Sequence, residues 1–169
     1  MTESDIQAVI THVLASEGGF TDDPVDRGGR TNFGITQATA DVYGFGDVAQ
    51  LTQASARAAY RSMFAKWGID KVTDASAFAL VADCCVNHGQ GRSIGWLQSA
   101  VGLVPDGSIG PKSIAAFAAV TAWEPVYASI LARRVQFYGA IVEKDRTQAK
   151  FIFGWLNRAA SFLSPWPYA

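Results

Sequence analysis

Apolar residues recur at helical spacing along most of the chain. Ile6, Val9, Ile10, Val13 and Leu14 fall at i, i+3, i+4, i+7 and i+8, which predicts an amphipathic helix with one buried stripe. Ser4 and Gln7 offer a capping box at its start, and Gly18-Gly19 ends it. Glu17 therefore belongs to the last turn of this helix or lies just past it. Thr36 reads as the N-cap of a brief helix through Val42, stopped at Gly44. From Thr52, the residues Ala56, Ala59, Tyr60, Met63, Phe64 and Trp67 set out the next helix, closed by Gly68. Asp74 caps a helix carrying Phe78, Val81, Ala82 and Cys85, with Asn87 and His88 at its far end before Gly89. Ser93 is the expected start of a shorter helix with Ile94, Leu97 and Val101, ending at Gly102.

Pro105 to Ser113 is rich in turn residues, after which Ile114 and Phe117 begin another helix. Pro125, acceptable in a first turn, introduces a long helix with Val126, Ile130, Arg134, Phe137 and Ile141. A last helix carries Ile152, Trp155, Leu156, Ala159 and Leu163 and stops at Pro165 and Pro167. One long stretch, Glu17 to Thr36, breaks the periodicity. It is expected to form a loop with one small β-hairpin near residues 20–35, Thr31 to Ile35 supplying a short strand. The fold class that follows is mainly α, about eight helices with that hairpin. Without an internal repeat or a long linker, residues 1–169 read as a single compact domain.

Composition agrees with an ordered core: 49% of residues are hydrophobic and 17% charged, which excludes a disordered chain. No apolar run reaches the length of a membrane span, and the acidic, polar start M-T-E-S-D is not a secretory signal. The expectation is a protein made in the cytoplasm that reaches any outside target only by being released. Cys84 and Cys85 are adjacent, a poor geometry for a disulfide and for a metal site, so two buried apolar residues are expected.

Charge is uneven although the formal net is only −1. Residues 1–47 hold eight acids and two bases, and residues 133–158 hold six bases and two acids. An acidic working site with a basic surface elsewhere fits this, and so do helix faces that simply differ. Lys150 and Arg158 flank Phe151, Ile152, Trp155, Leu156 and Phe162, a pattern able to meet an anionic envelope surface or to dock on the core. No nucleic-acid partner is indicated.

The non-helical stretch gathers Glu17, Asp22, Asp23 and Asp26 around Gly19, Gly28, Gly29 and Gly34, with little apolar material. Acidic glycine-rich loops also hold calcium, but the pattern D-x-[DN]-x-[DN]-G is absent, and no metal or cofactor is expected. Paired carboxylates instead suit glycosidic bond cleavage. One must deliver a proton to the leaving oxygen, and the negative end of a helix together with Leu14 and Phe20 would favour a protonated carboxyl at Glu17. A second must act from the opposite side, and Asp26, across a glycine turn, is the best placed. Thr31, Asn32 and Thr36 are the local groups able to orient a water.

E-G-G-F followed by D-R-G-G-R-T-N-F-G-I-T resembles the signature of glycoside hydrolase family 108, lysozyme-like N-acetylmuramidases of phages and bacteria. Ala59-Tyr60 through Lys66-Trp67 is similar to that family's I-Y-x-x-Y-W region. The second half resembles the peptidoglycan-binding region that follows. Asp83, Asn87 and Gly89 fit D-x-x-x-N-x-G, Leu97-Gln98 fits L-Q, Asp106-Gly107 with Gly110-Pro111 fits D-G-x-x-G-P, and residues 154–158 fit G-W-L-N-R.

The resemblance implies a lysozyme-like α+β fold with a catalytic part over 1–70 and a peptidoglycan-binding part over 71–164. It also implies Glu17 as the essential acid. Phage-type lysozymes space their triad as Glu, eight residues, Asp or Cys, five residues, Thr. Glu17 and Asp26 keep the first spacing, while the threonine slot falls on Asn32 with Thr31 one position early.

Tyr60, Asn87 and Gln98 are the further candidate contacts to substrate. Tyr60 and Trp67 also lie on an apolar stripe that predicts core packing, and Asn87 and Gln98 equally suit backbone at helix ends. His88 fits a helix end better than a base, and Asp83 a brace better than a reacting group. What the resemblance implies is an endolysin-type lysozyme that cleaves the β-1,4 bond between N-acetylmuramic acid and N-acetylglucosamine. It would act as a monomer after holin-type or other release. Two other readings are a lytic transglycosylase on the same substrate and a wall-binding module that does not cut.

Overall fold

The computed structural model describes residues 2–22 and 29–163. Eight α-helices and one two-stranded antiparallel sheet make up their regular structure, together with four short 3-10 turns, so the fold is mainly α as the periodicity predicts. Asp23, Asp26 and Gly28 of the acidic stretch lie outside the described residues, as do Pro165 and Pro167. The chain divides into two compact units, Thr2–Trp67 and Gly68–Ala169.

The first unit holds α1 (Glu3–Ser16), β1 (Thr31–Asn32), β2 (Ile35–Thr36), α2 (Gln37–Tyr43) and α3 (Gln53–Trp67). α1 packs on α3, and the predicted stripes, Ile6 to Leu14 on one and Ala56 to Phe64 on the other, are buried. The capping box of α1 sits two residues earlier than expected. Thr2 Oγ1 accepts the Asp5 N–H at 3.2 Å, and the Thr2 N–H donates to the Asp5 carboxylate at 2.8 Å. Helical backbone already begins at Glu3, which places Ser4 inside the first turn rather than ahead of it. Two arginines of α3 tie the helices together at their edge. Arg57 Nη1 donates to Thr11 Oγ1 at 2.9 Å, and Arg61 pairs with Glu3 at 3.0 Å.

The strand expected over Thr31 to Ile35 is instead folded back on itself. Thr31 pairs with Thr36 and Asn32 with Ile35, leaving Phe33 (φ 50°) and Gly34 (φ 74°) as the two turn residues. Left-handed backbone at both positions matches the twist of a tight hairpin. Thr21 adds a bridge to Thr31 through reciprocal N–H···O bonds of 2.8 and 2.9 Å.

The second unit holds α4 (Ala75–His88), α5 (Gln90–Ala100), α6 (Pro111–Ala118), α7 (Glu124–Lys144) and α8 (Ile152–Ala160). α4, α5 and α7 pack on one another, and α8 lies against α7. α4 is buried continuously from Ala77 to Cys85, and Asp74 caps it by accepting the Ala77 N–H at 2.8 Å. α5 starts at Gln90, not Ser93, because Gly89 (φ 83°) alone makes the bend between α4 and α5. Ser93 sits in its first turn and donates back to the Gly89 carbonyl at 3.0 Å.

A charged cluster lies inside this unit. Arg134 falls on the apolar stripe of α7 and is fully buried. Its Nη2 lies 2.6 Å from the Asp83 carboxylate, and its Nε donates to the Tyr138 hydroxyl at 2.7 Å. Arg158 reaches the same carboxylate with Nε at 3.1 Å and Nη2 at 2.8 Å. Asp83 is thus the brace its position suggests. Arg158, which suited either an anionic surface or a helix docked on the core, is committed inward, while Phe153 on α8 stands 76% exposed. Beside the cluster Cys84 and Cys85 are free thiols without exposure to solvent. Burial pushes Cys84 up to about 12 and raises Cys85 well above its ordinary value. No described helix is long and apolar enough to cross a membrane.

Asp83→Ala strands two guanidinium groups and is expected to destabilise the protein by about 3–5 kcal/mol in urea unfolding. His88 is held down to about 4 by burial, with the Arg134 charge adding to it. The unfolded chain therefore takes up a proton below its ordinary 6.5 that the folded protein refuses. Stability is full above that pH and falls as the pH drops toward about 4, and the decline should be shallower in His88→Gln, read as melting temperature against pH.

Candidate active site

Glu17 is where α1 stops. Its N–H still bonds the Val13 carbonyl at 3.1 Å, but its backbone has turned extended (φ −100°, ψ 144°). The side chain is partly exposed and lies against the hairpin turn. A β-carbon at Gly34 would stand 2.7 Å from both Cγ and Oε2 of Glu17 and 2.8 Å from the Tyr60 hydroxyl. A side chain at this position would have to push those groups aside, and its backbone would be strained as well (φ 74°). Tyr60, buried on α3, donates its hydroxyl to the Phe33 carbonyl at 2.8 Å. The end of one helix, a two-residue turn and the middle of a second helix thus meet around one carboxyl group.

Arg30 anchors the chain entering the hairpin. It pairs with Asp47 at 2.9 Å and with Asp22 at 3.7 Å, and its guanidinium lies 5.7 Å from the Phe20 ring centre. Phe20, expected to shield Glu17 from water, is 48% exposed and faces this arginine. Asp47 in turn accepts the Ala49 N–H at 3.0 Å, and that bond, with Arg30 nearby, keeps its carboxyl below the usual range.

The remaining sequence-predicted residues have distinct positions. Asp26 lies outside the described residues. Thr31 is partly exposed, and its hydroxyl donates to the Gly29 carbonyl at 3.1 Å. Asn32 turns inward instead of toward a substrate. It is buried, and its Nδ2 donates to the carbonyls of Val48 at 2.8 Å and Leu51 at 3.4 Å, fixing the hairpin to the loop before α3. Thr36 is the N-cap of α2, accepting the Thr39 N–H at 3.1 Å. Tyr60 supports the turn from beneath rather than presenting a face.

Asn87 and Gln98 belong to the second unit. Asn87 donates to the Asp83 carbonyl at 2.7 Å. Gln98 is buried with both ends of its amide in use. It donates to Asp106, Ser108 and Ser113, and it accepts the N–H groups of Asp106 and Gly107 at 3.0 and 2.9 Å. It organises the Pro105–Ser113 loop and has no amide left for a sugar. No group of three or more His, Cys, Asp or Glu among the described residues is arranged to hold a metal ion.

Sequence reasoning passed over Phe33 and the particular role of Gly34. The signal was present in N-F-G-I, where glycine follows a large residue midway between two strand-formers, but without the usual Asn-Gly turn pair it reads as strand. Gly34→Ala should push the Glu17 carboxyl or the Tyr60 hydroxyl aside. The same change should cost about 1–2 kcal/mol from the left-handed backbone. Tyr60→Phe keeps the ring and loses the bond to Phe33, with an expected cost of about 1 kcal/mol. Thermal unfolding of the purified variants checks both.

Comparison with known proteins covers nearly all of this geometry. The model of the family described as glycosyl hydrolase 108 matches residues 10–89, from α1 through Glu17, the hairpin and Tyr60 to the end of α4. The model described as a predicted peptidoglycan domain matches residues 92–160. Among solved structures, that of Brucella abortus SagA is similar at a TM-score of 0.78 and 29% identity, covering 95% of this chain and 92% of that one. No curated protein matches the sequence. Two adjoining matches in that order, over the residues that carry the site, lead to one assignment: residues 10–89 form a glycosyl hydrolase 108 region, and residues 92–160 form a predicted peptidoglycan domain after it.

Proposed function

We propose that this peptidoglycan-directed glycoside hydrolase is an N-acetylmuramidase, cutting the β-1,4 bond between N-acetylmuramic acid and N-acetylglucosamine with Glu17 as proton donor. The observation that carries the reading is the Glu17 side chain lying against the bare backbone of Gly34, with the Tyr60 hydroxyl beside the same position. A carboxyl group fixed in this way, yet partly exposed, can face a bound sugar with its orientation already set. The proton passes from Glu17 to the glycosidic oxygen as the bond from that oxygen to the anomeric carbon breaks. Water then adds to the anomeric carbon, its proton taken up by a carboxylate. Asp26 is the proposed partner for that water and Thr31 a neighbouring hydroxyl, on the strength of their spacing from Glu17.

Glu17→Gln keeps the shape of the side chain and removes the proton. Clearing of purified peptidoglycan by this variant should fall by about 10²–10⁴-fold, the range for loss of a positioned acid, with its melting temperature unchanged. Mass spectrometry of the wild-type digest should show muropeptides ending in reducing N-acetylmuramic acid. Anhydro-sugar ends would instead mean a lytic transglycosylase, and reducing N-acetylglucosamine ends a glucosaminidase. A Glu17→Gln protein that clears the wall at the wild-type rate would overturn the assignment of the acid.

A further inference from the structure

An open groove of about 420 Å³ lies within the second unit between α5, α7 and the loop that precedes α6. Trp96 on α5, Arg133 on α7 and Asp106 on the loop supply its chemistry. Gly91 and Gly95, one turn apart on α5, line it with bare helix backbone. No atom stands within 4 Å of the position a β-carbon on Gly91 would take. The loop closes one side by pressing on the same helix. A β-carbon on Gly107 (φ 74°) would stand 2.8 Å from the Gly91 carbonyl oxygen, so backbone meets backbone there.

Trp96 is partly exposed, and its indole is held by Phe137 and His88, with ring centres 5.8 and 5.6 Å away. Asp106 is oriented in advance. Its Oδ1 accepts from Gln98 Nε2 at 2.7 Å and from the Ser108 N–H at 2.9 Å, bonds that keep its carboxyl below the usual range. Its Oδ2 takes no bond from another described residue. Arg133 has no hydrogen-bond or ion-pair partner among the described residues. An indole thus shares one opening with a donor-only guanidinium and an acceptor-only carboxylate. Opposite charges on the two polar groups disfavour a strongly charged ligand of either sign. They suit a flat ring with C–H groups on its face and hydroxyl or amide groups on its rim.

We propose that this groove binds an uncharged N-acetylated sugar of a β-1,4-linked glycan. The sugar ring lies on Trp96, Arg133 donates to its polar rim and Asp106 accepts from it. The proposal rests on the reading that peptidoglycan is the substrate. It gives the second unit a glycan site of its own, in addition to the bond cut at Glu17, and leaves the peptide stems unbound there.

A residue-resolved NMR titration of the full chain tests it. The probe is chitotriose, a β-1,4-linked trimer of N-acetylglucosamine, added to Glu17→Gln so that the ligand stays whole. The amides of Gly91 and Gly95 and the indole N–H of Trp96 should shift saturably. Any response at Gly34, beside Glu17, is read separately. The tripeptide alanyl-γ-glutamyl-lysine should leave the Gly91, Gly95 and Trp96 signals in place.

Arg133→Gln in the same background should weaken the affinity read from those signals about 10-fold, the loss expected for one hydrogen bond from a charged donor. Gly91→Met fills the open space on α5 and replaces a helical glycine. It should weaken chitotriose at least as much, while the melting temperature holds or rises. Wall clearing by Glu17→Gln would remove the assignment of the acid and leave the shifts at Gly91 and Trp96 standing. Chitotriose shifts confined to the surroundings of Gly34, an equal response to the tripeptide, or unchanged affinity in both Arg133→Gln and Gly91→Met would each overturn the proposal.

Discussion

A missing β-carbon at Gly34 leaves the room that the Glu17 carboxyl group occupies. At Gly34 the backbone lies so close to Glu17 and Tyr60 that any side chain would overlap both. The turn that brings it there is not a comfortable one, because Phe33 takes a left-handed conformation that a bulky residue disfavours by about 1–2 kcal/mol. The Tyr60 hydroxyl bonds the Phe33 carbonyl and offsets part of that cost, about 1 kcal/mol for a hydrogen bond of this kind. Strain, support and carboxyl thus form one mechanical unit. The helix pair α1–α3 supplies its rigidity, since Glu17 ends one helix and Tyr60 rises from the buried face of the other.

The second unit follows a different logic. Its centre is not purely apolar: a carboxylate with two guanidinium groups is set among α4, α7 and α8. Taking such charges out of water is costly, and apolar side chains of similar size would pack there at least as well. What the ions add is direction. Asp83 fixes Arg134 and Arg158, Arg134 fixes the Tyr138 hydroxyl, and Tyr138 stacks with Trp155. An arrangement of this type holds helices in one relative rotation.

Much of this was readable from residue order. The stripes of α1 and α3 appear as spaced apolar residues, and Thr36, Gly44 and Asp74 act at the helix ends where their chemistry puts them. Arg134 stands in the stripe of α7 by its spacing, and its counter-ion Asp83 is revealed only by the fold. Glu17 stood out because its carboxyl group follows the last apolar turn of a helix. The hairpin was misjudged in detail because Phe33 is a strand-former placed in a turn, held there by a tyrosine 27 positions away. Asn32 and Gln98 look like ligand contacts by type. Only the fold reveals that their amides are taken by Val48, Leu51 and the Asp106 loop. A polar side chain near a motif carries no mark of which way it turns.

The neighbouring thiols of α4 have a consequence of their own. Sulfur reacts with disulfides and oxidants chiefly as thiolate, and Cys84 and Cys85 are shut away from water with deprotonation strongly disfavoured. Chemically the pair is silent. The fold therefore needs no particular redox surroundings, and it keeps the same covalent structure in a reducing cell interior as in an oxidising envelope.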